Sequence, residues 1–226
     1  MSPRIPLPPA SLTSRALGAL RQDIVTTRLA PGETLSEAAT AGRLSLGKAP
    51  IRAALARLAA EGLVQAVPRR GWVVSLVTVR DIHEVFDLRL LLEPEAARRA
   101  AGRIDAAALG RLDAVCAAGY RPGDATSALG FLDANRAFHV AVAELSGNVR
   151  LARQIGRLLD ESTRMLVLGL SRRDRSGEMA HEHRALTAAL ASGEAAVAAA
   201  LMREQVAASR DMVLAALTAP EAGIGV

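Results

Sequence analysis

"GKAPIRAALARLAAEGLVQAVPRRGWVV", residues 47–74, decides how the chain is read. Ile51, Leu55 and Leu58 recur at i, i+4 and i+7, which predicts a helix from Lys48 to Ala60 with one buried stripe. Pro50 is acceptable there because the first turn of a helix has no intrahelical partner for its missing N–H. The opposite face presents Ala49, Arg52, Ala53 and Ala56, with Lys48 at its mouth. Small side chains let a backbone approach a groove closely while two cations reach phosphates and base edges. After Gly62, the runs "LVQAV" and "WVVSLV" flank "PRRG", the pattern of a two-stranded hairpin. Arg69 and Arg70 would sit at its tip, and Gly71 would let the backbone come close to a phosphate or enter a minor groove.

Upstream, Leu12, Leu17, Leu20, Ile24 and Leu29 lie near helical spacing and predict a first helix over 11–28. Pro31 and Gly32 make a turn, and Ser36 caps a short second helix with Gly42 near its end. Three helices followed by a basic hairpin make a winged helix-turn-helix. Charge points the same way: residues 1–75 carry a net +6 and the remainder −1. Arginine-rich composition alone would not create that asymmetry, although Lys48 is the only lysine. A basic head on a near-neutral body suggests polyanion binding by the head.

The order "PGETLSE … LGKAPIRAALARLAAEGLVQAVPRRGWVV" resembles the winged-helix domain of the GntR superfamily of bacterial transcription regulators, over about residues 12–76. The resemblance implies DNA contacts from Ser36, Lys48, Ala49, Pro50, Arg52, Arg69, Arg70 and Gly71. Members usually carry serine, arginine and threonine before the proline, where this chain has Gly47, Lys48 and Ala49. Lys48 keeps the cation but lacks the planar fork that reads guanine bidentately. Relatives often also have an arginine where this chain has Ala38.

Only 2% of the residues are aromatic against 50% hydrophobic, so any core is built from Leu, Val, Ile and Ala, which favours packed helices. From Thr78 onward the spacing predicts helices over 79–101, 105–119, 126–145, 149–171, 177–191 and 194–217, an antiparallel bundle of six. The expected fold is mainly α, with domains at 1–76 and 77–226. Cys116 is the only cysteine, which excludes an intrachain disulfide and a Cys-based zinc site and leaves a buried, inert thiol as its expected state. The opening "MSPRIPLPPAS" lacks the apolar core of a signal peptide, and no run of about 18 apolar residues suggests a membrane span. A soluble, cytoplasmic protein without membrane partners is expected.

"NRAFH" places Asn135 and His139 on one helix face, and "HEHRAL" supplies His181 and His183. If "ASGE" turns a helical hairpin at Ser192 and Gly193, His183 and Gln205 both lie roughly 15 Å from the turn and can face each other. Asn135, His139, His183 and Gln205 could therefore converge, although a lone helical histidine is more often a satisfied core or surface residue. His83 and His181 have no such geometry.

"FDLRLLLEPEAARRAA", "NRAFHVAVAELSGNVRL" and "EHRALTAALASGEAAVAAALMREQ" resemble the FCD ligand-binding domain of the fatty-acid-regulator branch of GntR proteins, over about 79–215. Six helices resemble the vanillate-regulator subgroup. The resemblance implies a small carboxylate effector beside a divalent metal, zinc or nickel, held by Asn135, His139 and His183. The fourth family ligand, a histidine, falls on Gln205, which leaves metal binding weakened or absent. Arg89 is the candidate to grip the effector carboxylate, with an ion pair to Glu93 at i+4 as the equal alternative.

Together these readings describe an effector-responsive regulator, a repressor by expectation, that binds an inverted-repeat operator as a homodimer. Two alternatives remain open from sequence: a metal-dependent hydrolase using His139 and His183, and an architectural DNA-coating protein. The hydrolase lacks a carboxylate in a general-base position, so a non-enzyme is expected.

Overall fold

The computed structural model describes residues 11–103, 110, 119–121 and 124–218. The chain divides into two compact units, Met1–Leu76 and Val77–Val226. Residues 1–10 of the proline-rich start, the helix expected over 105–119 apart from residues 110 and 119, and Cys116 lie outside the described residues.

In the first unit, α1 (Leu12–Val25) begins where the Ser11 side chain accepts from Ser14 N. Strand β1 (Thr34–Leu35) runs directly into α2 (Glu37–Leu44), whose first turn is capped by Ser36 Oγ accepting from Ala39 N. Ser45 adopts a left-handed φ of 52° and ends α2, which frees the chain to start α3 (Lys48–Ala60). Ile51, Leu55 and Leu58 of α3 are fully buried against Leu20 and Ile24 of α1, a stripe worth about 1.5–3 kcal/mol per side chain. Strands β2 (Val64–Val67) and β3 (Gly71–Val74) follow as the wing.

The wing sheet has three strands, not two, in the order β1-β3-β2, all antiparallel. Two residues carry no periodicity of their own, so β1 becomes a strand only by pairing with β3, Thr34 opposite Val73 and Leu35 opposite Trp72. The same contact explains Gly71. Its φ is +88°, and a Cβ there would stand 3.0 Å from the Leu35 carbonyl oxygen. Gly71 thus makes a close backbone approach to β1 within the fold.

The described elements of the second unit are all helices: α4 (Val79–Ala100), α5 (Ala125–Leu145), α6 (Val149–Arg172), α7 (Ser176–Ala191) and α8 (Ala195–Thr218). Thr78 and Asp81 form a reciprocal capping box on α4, while Asp124 and Asn148 cap α5 and α6. α4 packs chiefly along α8, and α6 packs on α4, α5 and α8. Pro94 sits inside α4 and deprives the Leu90 carbonyl of its helical donor; Arg203 Nη1 of α8 donates to that oxygen at 3.4 Å. Gly193, at φ +75°, turns α7 into α8 where "ASGE" interrupts the pattern. No described helix is long and apolar enough to cross a membrane.

Candidate functional site

Two groups of residues carry chemistry, one in each unit. On α3, Lys48, Ala49, Arg52, Ala53 and Ala56 are exposed, and no acidic residue occurs between Lys48 and Ala60. Pro50 lies in the first turn and is half-buried. Arg69 and Arg70 are exposed at the turn between β2 and β3, which closes with Arg70 N donating to the Val67 carbonyl at 3.0 Å, and Arg69 adopts a left-handed φ of 64°. Ser36 spends its hydroxyl on the cap of α2.

Arg52 is held by Glu37 of α2, a partner the sequence reading missed. Arg52 Nε donates to both carboxylate oxygens at 2.9 and 3.0 Å, and Nη2 donates to Oε2 at 2.7 Å. The Trp72 indole N–H reaches Glu37 Oε1 at 3.4 Å. The hydrogen bond from Arg52, against partial desolvation, lowers the Glu37 carboxyl below its usual range. Glu37 therefore ties α2, the exposed helix α3 and the wing together.

In the second unit Arg89, Glu93, Asn135, His139, His183 and Gln205 are all buried. Arg89 pairs with Glu93, Nε to Oε1 at 2.6 Å, and its Nη1 donates to Ser162 Oγ at 3.2 Å. The i+4 ion pair is the alternative adopted. The other Glu93 oxygen lies 2.7 Å from His139 Nδ1, so the side chains are linked in the order Arg89, Glu93, His139. Burial would raise the Glu93 carboxyl, but Arg89 and then His139 outweigh it and hold it at about 2. An ionised carboxylate only accepts, so His139 Nδ1 carries the proton and Nε2 is its remaining nitrogen.

His139 and His183 meet edge to face with ring centroids 5.7 Å apart, and His183 stacks on Phe138 at 4.0 Å. Burial first, then the nearby His139, pushes the His183 imidazole down to about 3, so it is neutral at pH 7. Gln205 Nε2 donates to the Glu182 carbonyl at 2.7 Å, which fixes the amide's orientation and leaves Oε1 as the acceptor. Asn135 Oδ1 and Gln205 Oε1 are buried and accept no hydrogen bond among the described residues. His83 and His181 are both exposed. The sequence reading also passed over Arg175, whose run "SRRDRSGE" looks like a solvated turn. It is 3% exposed; Nε and Nη2 are held by Glu178 and Glu182, while the buried Nη1 has no partner among the described residues. A cleft of about 480 Å³ on α5 and α6 is lined by other residues, and two of these, Arg136 and Asp160, pair with each other.

These donors do not fit a resident zinc or nickel ion. Two imidazoles and two neutral amide oxygens fall short of the three good ligands such a site needs, and no group of three or more His, Cys, Asp or Glu among the described residues is placed to hold a metal. Gln205→His should supply the missing imidazole and tighten zinc or nickel binding by about tenfold or more, roughly 1.4 kcal/mol. His139→Ala in that background should abolish the gain. Calorimetric titration of metal-stripped protein checks both; an unchanged affinity in Gln205→His would show that the four residues share no site.

Residues 12–74 match the family described as bacterial regulatory proteins, gntR family, and residues 84–208 match the FCD domain. The chain is 30% identical over 199 residues to the HTH-type transcriptional repressor GlaR of Escherichia coli (strain K12), covering 82% of this chain and 88% of that protein. It is 30% identical over 185 residues to the uncharacterized HTH-type transcriptional regulator in the unstable DNA locus of Streptomyces ambofaciens, covering 81% and 77%. Among solved structures, E. coli McbR/YncC superposes with a TM-score of 0.73 at 22% identity, over 91% of this chain and 98% of that one, a likeness of fold.

Proposed function

The chain belongs to the GntR family of bacterial regulatory proteins and carries the family's FCD domain, which makes it a DNA-binding transcriptional regulator and not an enzyme; from that premise we propose that it represses transcription as a homodimer on an inverted-repeat operator and responds to a small hydroxylated carboxylic acid. One head offers too few contacts for a long specific site, and two heads related by a two-fold axis read two half-sites. The head spans 1–76 and the effector-binding and dimerising body 77–226. Ser36, Lys48, Ala49, Pro50, Arg52, Arg69, Arg70 and Gly71 line the DNA, with Arg52 reading a base and the wing arginines meeting phosphates.

The pair of buried, unsatisfied carbonyl oxygens on Asn135 and Gln205 carries the effector reading. An acceptor left bare in the interior costs about 1–3 kcal/mol, and a ligand hydroxyl repays it by donating. Arg89 is committed to Glu93 and Ser162, so the effector's carboxylate goes to the open Nη1 of Arg175, a change from the role given to Arg89 by resemblance. Binding at this cluster shifts the equilibrium between DNA-competent and DNA-released arrangements of the dimer.

A thermal-shift series tests this reading with matched pairs: lactate against propionate, gluconate against hexanoate, and gluconate against its uncharged amide. A hydroxylated acid is expected to raise the melting temperature where its deoxy and amide counterparts do not. Equal shifts from both members of every pair, or from none, would contradict the proposal.

A further inference from the structure

Arg52 and Glu37 stand 15 residues apart in sequence and meet side-on. A guanidinium has five N–H donors. The grip of Glu37 uses the Nε hydrogen and one Nη2 hydrogen, and Nη1 makes no hydrogen bond among the described residues. The end edge, formed by Nη1 and the second Nη2 hydrogen, is left whole. That edge presents two parallel N–H groups, the spacing that matches O6 and N7 of guanine in the major groove. The Arg52 side chain is 68% exposed and that of Glu37 only 22%, so the carboxylate sits behind the arginine. Trp72 steadies the same carboxylate from the wing, and Lys48 is near enough for its charge to act on it.

We propose that Glu37 is a positioning residue for DNA reading: it holds Arg52 with its end edge presented to a guanine, and its fixed negative charge disfavours duplexes that cannot offer that base. An arginine without such a brace swings freely and serves any phosphate as well as a base edge. A braced one gives up that promiscuity, because its outer edge points one way and the carboxylate repels nearby phosphates. Glu37 can act in this way only if Arg52 meets a base, as proposed above.

The test uses full-length protein and duplexes selected from a random library by the wild-type chain, with a scrambled duplex as control at one salt concentration. Glu37→Ala is expected to weaken binding to the selected duplex by about tenfold, to leave binding to the scrambled duplex unchanged or tighter, and to erase guanine preference at one position of each half-site when selection is repeated. Glu37→Gln, which keeps one acceptor oxygen, should retain part of the preference. Trp72 is the only tryptophan of the chain, so its emission reports directly whether the head remains folded in each variant. Parallel weakening on both duplexes with a lower melting temperature would mean that Glu37 serves only the fold of the head. Tightening on both would mean that it is a lock released by DNA. Either result overturns the proposal. If Arg52→Ala leaves the selected motif intact, the premise about Arg52 has failed instead, and the two failures are told apart.

Discussion

Replacing Glu93 by alanine is expected to destabilise the second unit by about 3–5 kcal/mol and to lower its melting temperature by roughly 6–20 °C, the largest single effect foreseen in this chain. Glu93 is 1% exposed and lies between Arg89, also 1% exposed, and His139. Removing it leaves a permanent guanidinium buried with, among the described residues, the Ser162 hydroxyl and the face of Phe86, 4.9 Å from the ring centroid. Replacing one partner of a buried pair costs far more than the pair itself is worth, because the desolvation already spent on the survivor is no longer offset. Calorimetric melting checks it, and a loss under about 1 kcal/mol would show that water reaches Arg89.

Acid should act on the same cluster in two stages. Between pH 6.5 and about 3 the unfolded chain binds a proton at residue 183 that the buried, folded His183 refuses, so stability falls as pH drops through that window. Glu93 adds a second loss: its stabilisation is present above its ordinary value of 4.5 and disappears as pH falls from there toward about 2. Metal-stripped protein should therefore melt progressively lower from pH 6.5 downward, and His183→Phe should flatten the first stage. A wild-type melting temperature that stays level from pH 7 to pH 5 would contradict this.

The described helices were legible because their apolar residues recur at helical spacing, and Ser36, Pro50 and Gly193 mark starts and turns by their own local chemistry. Strand β1 was not, since Thr34 and Leu35 acquire their conformation from β3, 39 residues away in the case of Thr34 and Val73. Arg89 with Glu93 was legible as one of two readings because i, i+4 pairing is local; which reading holds depends on burial under α6, where Ser162 resides. Glu37 with Arg52 and the open edge of Arg175 were invisible for different reasons. The first depends on how two separate helices are placed; the second has its partners Glu178 and Glu182 on the helix it begins, and what no spacing encodes is its burial.

Arg52→Ala is expected to cost about 1–3 kcal/mol on a selected duplex, roughly 5–150-fold, and to narrow the gap between selected and scrambled DNA. The side chain projects from the exposed face of α3, among exposed alanines small enough for a close approach to a groove. On the proposed reading, losing it removes a base contact and one charge. Arg69→Ala, at the tip of the wing, removes a charge only, so both duplexes should weaken alike and the salt dependence should become shallower. The contrast between the two variants separates base reading from phosphate attraction. Equal, non-selective losses in both would place Arg52 on the phosphates.

The most direct measurement of the central claim is the ratio of affinities of the full-length wild-type chain for the selected and the scrambled duplex, at one stated salt concentration. A regulator that reads sequence through α3 should bind the selected duplex about a thousandfold or more tightly, with two-fold symmetry in the selected motif. Equal affinity for the two duplexes, with no motif enriched, would contradict sequence-specific regulation and return the head to the role of a DNA-coating module.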